Sequence, residues 1–365
     1  TDTDIFGASV SIDGDTAIVG APNDDTNAGI DAGSAYIFVR SGTSWSLQAQ
    51  LTGSQAQAGD TYGAAVGISG DMAVVGAPFA FGGAGQAYIY VRSGTSWNQE
   101  ILTHSTAGPD RVGQAVAVDG NTVLLGAPFT DLTTGSDAGA VYVLMRDVSG
   151  WRDVLLTASD AASGDQFGSG VAVDGDLIVI ASPFTDATGF GVDVGAAYVF
   201  ARSGTSWSQE TKLLPALSQQ SSFFSLNAVA ISGNTAVVGA QAADTAAGVD
   251  VGEVTVFVRQ AAGSWTREAT LVAGDAASGE AFGAVVSISG GTLVVGAPFD
   301  DTAAGIDAGS AYVFNRSGTT WTESQKLTAA DAAPSDSFGI GVAISGSSVV
   351  VGAFFDDIAA GVVAG

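Results

Sequence analysis

The sequence predicts an all-β protein, a seven-bladed β-propeller of four-stranded antiparallel blades with the last blade incomplete, on three observations. The third residue of a recurring Gly-Ala-Pro unit falls at Pro22, Pro78, Pro128, Pro183, Gln241, Pro298 and Phe354, at spacings of 56, 50, 55, 58, 57 and 56 residues. Such a period exceeds that of helical solenoids and is near the length of a four-stranded blade. Val, Ile, Thr, Tyr and Phe come in short runs punctuated by Gly, and no segment keeps apolar residues at helical spacing for three turns, so almost no helix is expected.

Each unit reads as strands A to D. In the cleanest one, Phe282-Gly283 opens and strand A runs from Val285 to Ser289, followed by a Gly290-Gly291 turn. Strand B, Leu293 to Val295, enters Gly296-Ala297-Pro298; an Asp-rich loop precedes strand C, Ala311 to Phe314, then Arg316, a Ser-Gly-Thr-Thr turn and Trp321 at the start of strand D. Gly in the A–B turn supplies the positive φ that a tight hairpin needs. The first unit repeats this with Phe6-Gly7, Asp13-Gly14-Asp15 and Trp45. The second has the shortest B–C loop, Phe79 to Gly85, without Asp; the third and fourth drift mildly; the fifth carries Phe224-Ser225 and Gln241. The seventh runs from Phe338-Gly339 through Phe354 to Gly365, where strand C should begin. The repeats fill residues 1–365 without a linker, one domain of six full units and a seventh truncated after strand B. That leaves an unpaired edge for a partner chain, a further segment or another copy of the protein to cover.

Phe-Gly, Gly-Ala-Pro about 13 residues later, and then a Gly-x-Ala-Tyr-Val-Phe strand resemble the FG-GAP repeat of integrin α-subunit propellers and their bacterial relatives. The resemblance covers the chain in seven copies. It implies a propeller used for extracellular adhesion, ligand display or carbohydrate binding, usually without catalysis. One departure matters: the integrin calcium loop lies between strands A and B, where this chain has only Asp13-Gly14-Asp15, Asp174-Gly175-Asp176 or Ser345-Gly346-Ser347. Too few ligands remain for the oxygens calcium requires.

The formal charge is −26 with eleven Lys plus Arg, which argues against nucleic acid or an anionic membrane surface and favours cations. No apolar run approaches the roughly 20 residues needed to span a bilayer, so a soluble chain without membrane insertion is expected. Cysteine is absent, which excludes disulfides, thiolate metal sites and thiol catalysis. The chain starts Thr1-Asp2-Thr3-Asp4, as a mature secreted protein would after loss of an export signal.

Asp outnumbers Glu 31 to 6, and strand order sorts these carboxylates. B–C loops and D–A links share one face of the disc; A–B and C–D turns share the other. The loop face receives candidate calcium pairs Asp25 and Asp31, Asp131 and Asp137, Asp186 and Asp193, Asp244 and Asp250, and Asp301 and Asp307, with Asp24, Asp300, Asp356 and Asp357 beside them. Each pair could converge on one Ca2+, or each could accept backbone N–H bonds and hold its loop shut as Asx-turns do. On the opposite face, Arg40, Arg92, Arg146, Arg202, Arg259 and Arg316 are expected to pair with turn carboxylates such as Asp13, Asp15, Asp174 and Asp176.

All six Trp residues occupy the same repeat position, which points to packing, with sugar stacking at the rim as the alternative. His104 is the sole His, so a Ser-His-Asp triad or a multi-His metal site is excluded, and no Gly-Lys-Ser/Thr phosphate loop exists. The expected function is a non-catalytic extracellular interaction or structural module, binding a protein partner or self-assembling. The alternative is a lectin-like propeller binding carbohydrate. A site unique to one blade is expected near Phe79, Phe81, Gln219, Gln220, Asn227 and Gln241, where the repeat breaks most.

Overall fold

Short alternating runs separated by Gly turns pair with their sequence neighbours, and the result is a succession of antiparallel sheets. The structure, a computed structural model, describes residues 4–104, 108–187, 191–215 and 224–356. Six sheets have four strands in the order A-B-C-D. Blade 1 is Ser9–Asp13, Thr16–Ala21, Ser34–Ser41 and Ser44–Leu51, and blade 2 is Ala65–Ser69, Met72–Ala77, Gln86–Ser93 and Ser96–His104. Blade 3 is Val116–Asp119, Thr122–Ala127, Ala140–Asp147 and Gly150–Leu156, and blade 4 is Val171–Asp174, Leu177–Ser182, Ala196–Ser203 and Ser206–Leu213. Blade 5 is Phe224–Ser232, Thr235–Ala240, Glu253–Arg259 and Trp265–Leu271, and blade 6 is Val285–Ser289, Thr292–Ala297, Ser310–Ser317 and Thr320–Leu327. A seventh sheet pairs Gly341–Ser345 with Ser348–Gly352.

Helix is nearly absent among the described residues. The short loop of blade 2 closes through a four-residue turn, Ala80–Gly83, in which Phe81 and Gly82 have φ of 53° and 71° and so break the helical path. Strand A faces the axis, strand B is buried along its length in blades 1 to 5, and strand D forms the outer rim, where exposed residues predominate. Apolar clusters lie mainly between sheets: Ile18, Ala35 and Ile37 of blade 1 pack on Val66, Ile68, Val75 and Tyr88 of blade 2. The Phe-Gly aromatic packs edge-on against strand C of its own blade, as Phe282 does on Tyr312 at 5.5 Å and Phe314 at 6.0 Å.

The repeated glycines have a spatial cause. A Cβ on Gly76, the first residue of Gly-Ala-Pro in blade 2, would stand 2.0 Å from the carbonyl oxygen of Gly113, the Phe-Gly glycine of blade 3. Gly20, Gly126, Gly239 and Gly296 meet the next sheet in the same way, and Gly352 of the seventh sheet meets Gly7 of blade 1 at 2.1 Å. A second circle of contacts runs through the A–B turns. The side chains of Asp13, Ser69, Asp119, Asp174, Ser232, Ser289 and Ser345 accept the N–H of Gly70, Gly120, Gly175, Gly233, Gly290, Gly346 and Gly14 at 2.6–3.1 Å. The last of these ties the seventh sheet to blade 1. It also corrects the expectation for Asp13 and Asp174, which hold the neighbouring turn because the last strand A residue points sideways along the ring. Asp15 and Asp176 do pair with Arg40 and Arg202, at 2.6 Å each.

Candidate functional site

The loop face is assembled from each B–C loop and the D–A link that follows it. Gly33 of the first B–C loop bridges Tyr62 in parallel, and Gly139 bridges Phe167 and Gly309 bridges Phe338 likewise. The tip of the loop is a tight hairpin: Thr26 and Gly29 exchange both backbone hydrogen bonds, as do Thr245 and Gly248, and Thr302 and Gly305.

In each of the five predicted pairs the first carboxylate reaches the backbone of the second residue and forms a clasp. Oδ1 of Asp25, Asp131, Asp186, Asp244 and Asp301 accepts the backbone N–H of Asp31, Asp137, Asp193, Asp250 and Asp307 at 2.9–3.0 Å. The second Asp of every pair has φ between 51° and 53°, a left-handed conformation that Asp tolerates better than most residues. Its carbonyl then receives the following link: Gln166 N–H donates to Asp137 O at 3.1 Å and Ser337 N–H to Asp307 O at 3.1 Å. Among the described residues no three or more carboxylates or imidazoles gather in a metal-holding group. Asp357 lies outside the described residues.

Deeper carboxylates are held by Tyr and Lys. Asp300 is only 1 % exposed and takes Lys326 Nζ at 2.6 Å and Tyr312 Oη at 3.2 Å, while Asp275 of the link takes the same two donors at 2.7 and 2.9 Å. Burial by itself would raise the Asp275 pKa, but hydrogen bonds from Lys326 and Tyr312 outweigh it and bring it below the usual carboxylate range. Asp160, with Lys212 and Tyr198, repeats the arrangement in blade 4. By contrast, burial pushes Asp60, Asp165 and Glu280 upward, although each accepts a backbone N–H three residues earlier. These ties anchor links to blades.

Between the clasps the face is apolar. Of the thirteen large apolar side chains exposed among the described residues, nine belong to this face: Ile30, Val192, Val249 and Ile306 at loop tips, Phe79, Phe81, Phe299 and Phe355 nearer the strand ends, and Val272 in a D–A link. Phe79 also lies 4.8 Å from the Arg111 guanidinium, whose other side meets Phe129 at 4.3 Å. A cavity of about 390 Å³ lies on the axis at this face, walled by strand A residues of all seven sheets and by Gln241. Gln241 is thus central, as its departure from Pro suggested. Gln219 and Gln220 lie outside the described residues, as does the side chain of Asn227.

The rim follows a rule not read from the sequence. In blades 1, 2, 4, 5 and 6 strand D bulges opposite strand C, and the residue left unpaired is Gln48, Glu100, Glu210, Glu268 or Ser324, three residues after the Trp. A bulge re-aims its side chain. Here Gln48 receives Trp97 Nε1 at 2.9 Å, Glu100 receives Arg146, and Glu210 receives Arg259 and Trp265, all in the next blade. Glu268 does the same for Arg316 and Trp321, at 2.5 and 3.0 Å. Blade 3 has no bulge and presents Val154, and Trp207 Nε1 of blade 4 is buried without a partner. Trp97, Trp151, Trp207, Trp265 and Trp321 are therefore structural joints, while Trp45 is 40 % exposed; the Arg guanidinium lies 5.2–6.0 Å from the ring of Trp45, Trp97, Trp151, Trp207 and Trp321. The expected Arg pairing with A–B turns holds for Arg40, Arg92 and Arg202. It is corrected for Arg146, Arg259 and Arg316, which the bulged Glu takes because their A–B turns carry Asn121, Asn234 and Gly291 where Asp15, Asp71 and Asp176 stand in the others.

This arrangement defines a class: an all-β propeller of four-stranded antiparallel blades, with clasped loops and links displayed on one face. Matches to the FG-GAP repeat cover residues 1–38, 45–90, 97–144, 151–200, 207–257, 265–314 and 321–365. The chain belongs to the FG-GAP repeat family. No curated protein matches the sequence.

Proposed function

We propose that this protein is a non-catalytic interaction module whose loop face docks a protein partner. The observation that supports it is the alternation on that face of exposed Ile30, Val249, Ile306 and Phe299 with clasped carboxylates, an apolar patch rimmed by charge of the kind that marks contact surfaces. A partner with basic residues around an apolar centre complements it. The test is photo-crosslinking from Ile306 on the loop face and from Val148 on the opposite turn face in producing cells, followed by binding of the purified adduct partner. Ile30→Ser with Ile306→Ser should weaken that binding at least tenfold, and Val148→Ser should leave it unchanged. Adducts arising only from Val148 would overturn the proposal.

The two-stranded sheet is, on this reading, the inner half of a seventh blade. Trp45 supports this: it is 40 % exposed, while Trp207 and Trp321 are buried against the strand D of the preceding blade. A β-hairpin added to the outer edge of Ser348–Gly352 would cover Trp45 and Leu47 by strand addition. Hydrogen–deuterium exchange that slows at Val350 and Trp45 in the assembled protein checks it. The carbohydrate reading rests on the same Trp45, the most open of the rim rings; a glycan array on which Trp45→Ala binds as wild type does would end it. Extracellular placement belongs to this proposal too, and recovery of the protein from culture medium tests it. Calcium at the five pairs is supported by the charge of the face, whereas the clasps close those loops through backbone N–H groups alone.

A further inference from the structure

The axial cavity takes no part in the docking proposed above. Its wall contains no charged and no aromatic side chain, and it shares Val10, Val66, Val116, Val171 and Val342 with a second axial cavity beside it. The mouth is asymmetric. On blades 3, 4 and 5 it presents Gln114, Ser169 and Gln241. Across from them, the remaining sheets present Ala284, Ile340, Ala8 and Ala64.

Two departures from the repeat create the polar arc. Gln241 stands where five other units carry Pro, and strand A of blade 5 has one residue more between its Phe and its A–B turn than blade 6 has. The extra residue is absorbed as a bulge: Phe224 pairs with Ala240, yet Val229 pairs with Val238. Bulges that re-aim side chains are typical beside binding sites. Leu226, inside the bulge, enters the wall. On the neighbouring arc, Gln114 Oε1 is cut off from solvent and has no hydrogen-bond partner. With no surface open to a water-sized group, that oxygen faces the wall and not the cavity, so Gln241 is the amide left to meet a ligand.

We propose that this cavity binds a neutral small molecule with an aliphatic body and an amide-type head. The head exchanges hydrogen bonds with Gln241; the body fills the valine-lined wall. A carboxylate head would meet no cation in the wall and would enter against the net charge of −26, and an ammonium head would find no counter-ion in the wall. The cavity is of the size that small ligands occupy.

The experiment uses hexanamide as probe, with hexanoate and hexylammonium as charged counterparts, titrated into methyl-labelled protein. The expected result is a saturable shift of the Val10, Val66, Val116 and Leu226 methyl signals with hexanamide and at least tenfold weaker binding of both charged probes. Gln241→Pro, which restores the repeat residue, should weaken hexanamide at least fivefold with an unchanged urea midpoint. Leu226→Trp, which fills the cavity and leaves Gln241 in place, should abolish binding, so the reading remains testable if Gln241→Pro does not fold. Equal binding of the three probes, no axial methyl shift, or full affinity in the Gln241→Pro and Leu226→Trp proteins would overturn it.

Discussion

Replacing Gly76 by Ala isolates the contact that closes one blade on the next. Gly76 does not have a positive φ, so the backbone accepts Ala and the cost is one of space. The new Cβ would stand 2.0 Å from Gly113 O and 3.0 Å from its carbon, where ordinary contact begins at 3.4 Å. Both obstructing atoms are backbone, and Gly113 is itself held by its N–H to Gly126 O at 3.0 Å, so neither can rotate away. The two sheets must separate by about 1 Å, an overpacking that costs about 3 kcal/mol. Gly42→Ala is the control: φ is +64° there and nothing lies within 4 Å, so only the left-handed backbone term of about 1 kcal/mol applies. Urea unfolding followed by Trp fluorescence reads both, because five of the six Trp sit at blade joints. A Gly76→Ala protein within about 0.5 kcal/mol of wild type, or no less stable than Gly42→Ala, would refute the reasoning.

Three further outcomes follow from the ties on the two faces. Glu268→Ala leaves the Arg316 guanidinium and the Trp321 indole without their acceptor in a site where Glu268 is 9 % exposed, and should cost about 1–2 kcal/mol in urea unfolding. Asp176→Ala, at a carboxylate 70 % exposed, should cost less than about 0.5 kcal/mol. Asp275 has a folded pKa below its unfolded value of about 4, so its contribution is present above pH 4 and lost as pH falls through the folded value. Asp275→Asn should therefore flatten the acid limb of the stability curve, and a limb identical to wild type would contradict the Lys326 and Tyr312 bonds. Asp301→Ala opens a clasp that an N–H bond closes, with an expected loss of about 1 kcal/mol, while EDTA should leave the wild-type Tm unchanged. A Tm that rises with added Ca2+ would instead assign the cation to the clasps, since a ligand of the native state stabilises by mass action.

Strand order and the sorting of charge between faces were legible because both depend on local periodicity. Val10 to Ile12 alternate, Gly14 turns the chain, and once four strands are counted the position of Asp25 and Asp31 follows. The spacing of the pairs, six residues in four of them and seven between Asp186 and Asp193, left a shared cation and a backbone clasp both open. Other features were visible as repetition but not as cause. Gly76 and Gly113 recur in every good copy, yet their reason is a 2.0 Å approach between two different sheets. Glu210 and Glu268 stand three residues after a Trp, and nothing local says that strand D slips there by one residue and turns those carboxylates into the next blade.

The chain by itself determined which segments become strands, where they turn and which loops share a face, since hydrogen bonding between adjacent segments needs only short-range pattern. The assembled ring decided which residues come near one another: Asp13 beside Gly70, Gly352 beside Gly7, and Gln114 and Gln241 in the wall of one cavity. Those pairings join residues 57, 345 and 127 positions apart along the chain. They depend on how far each sheet rotates about the common axis, a quantity set by the packing of all the sheets together.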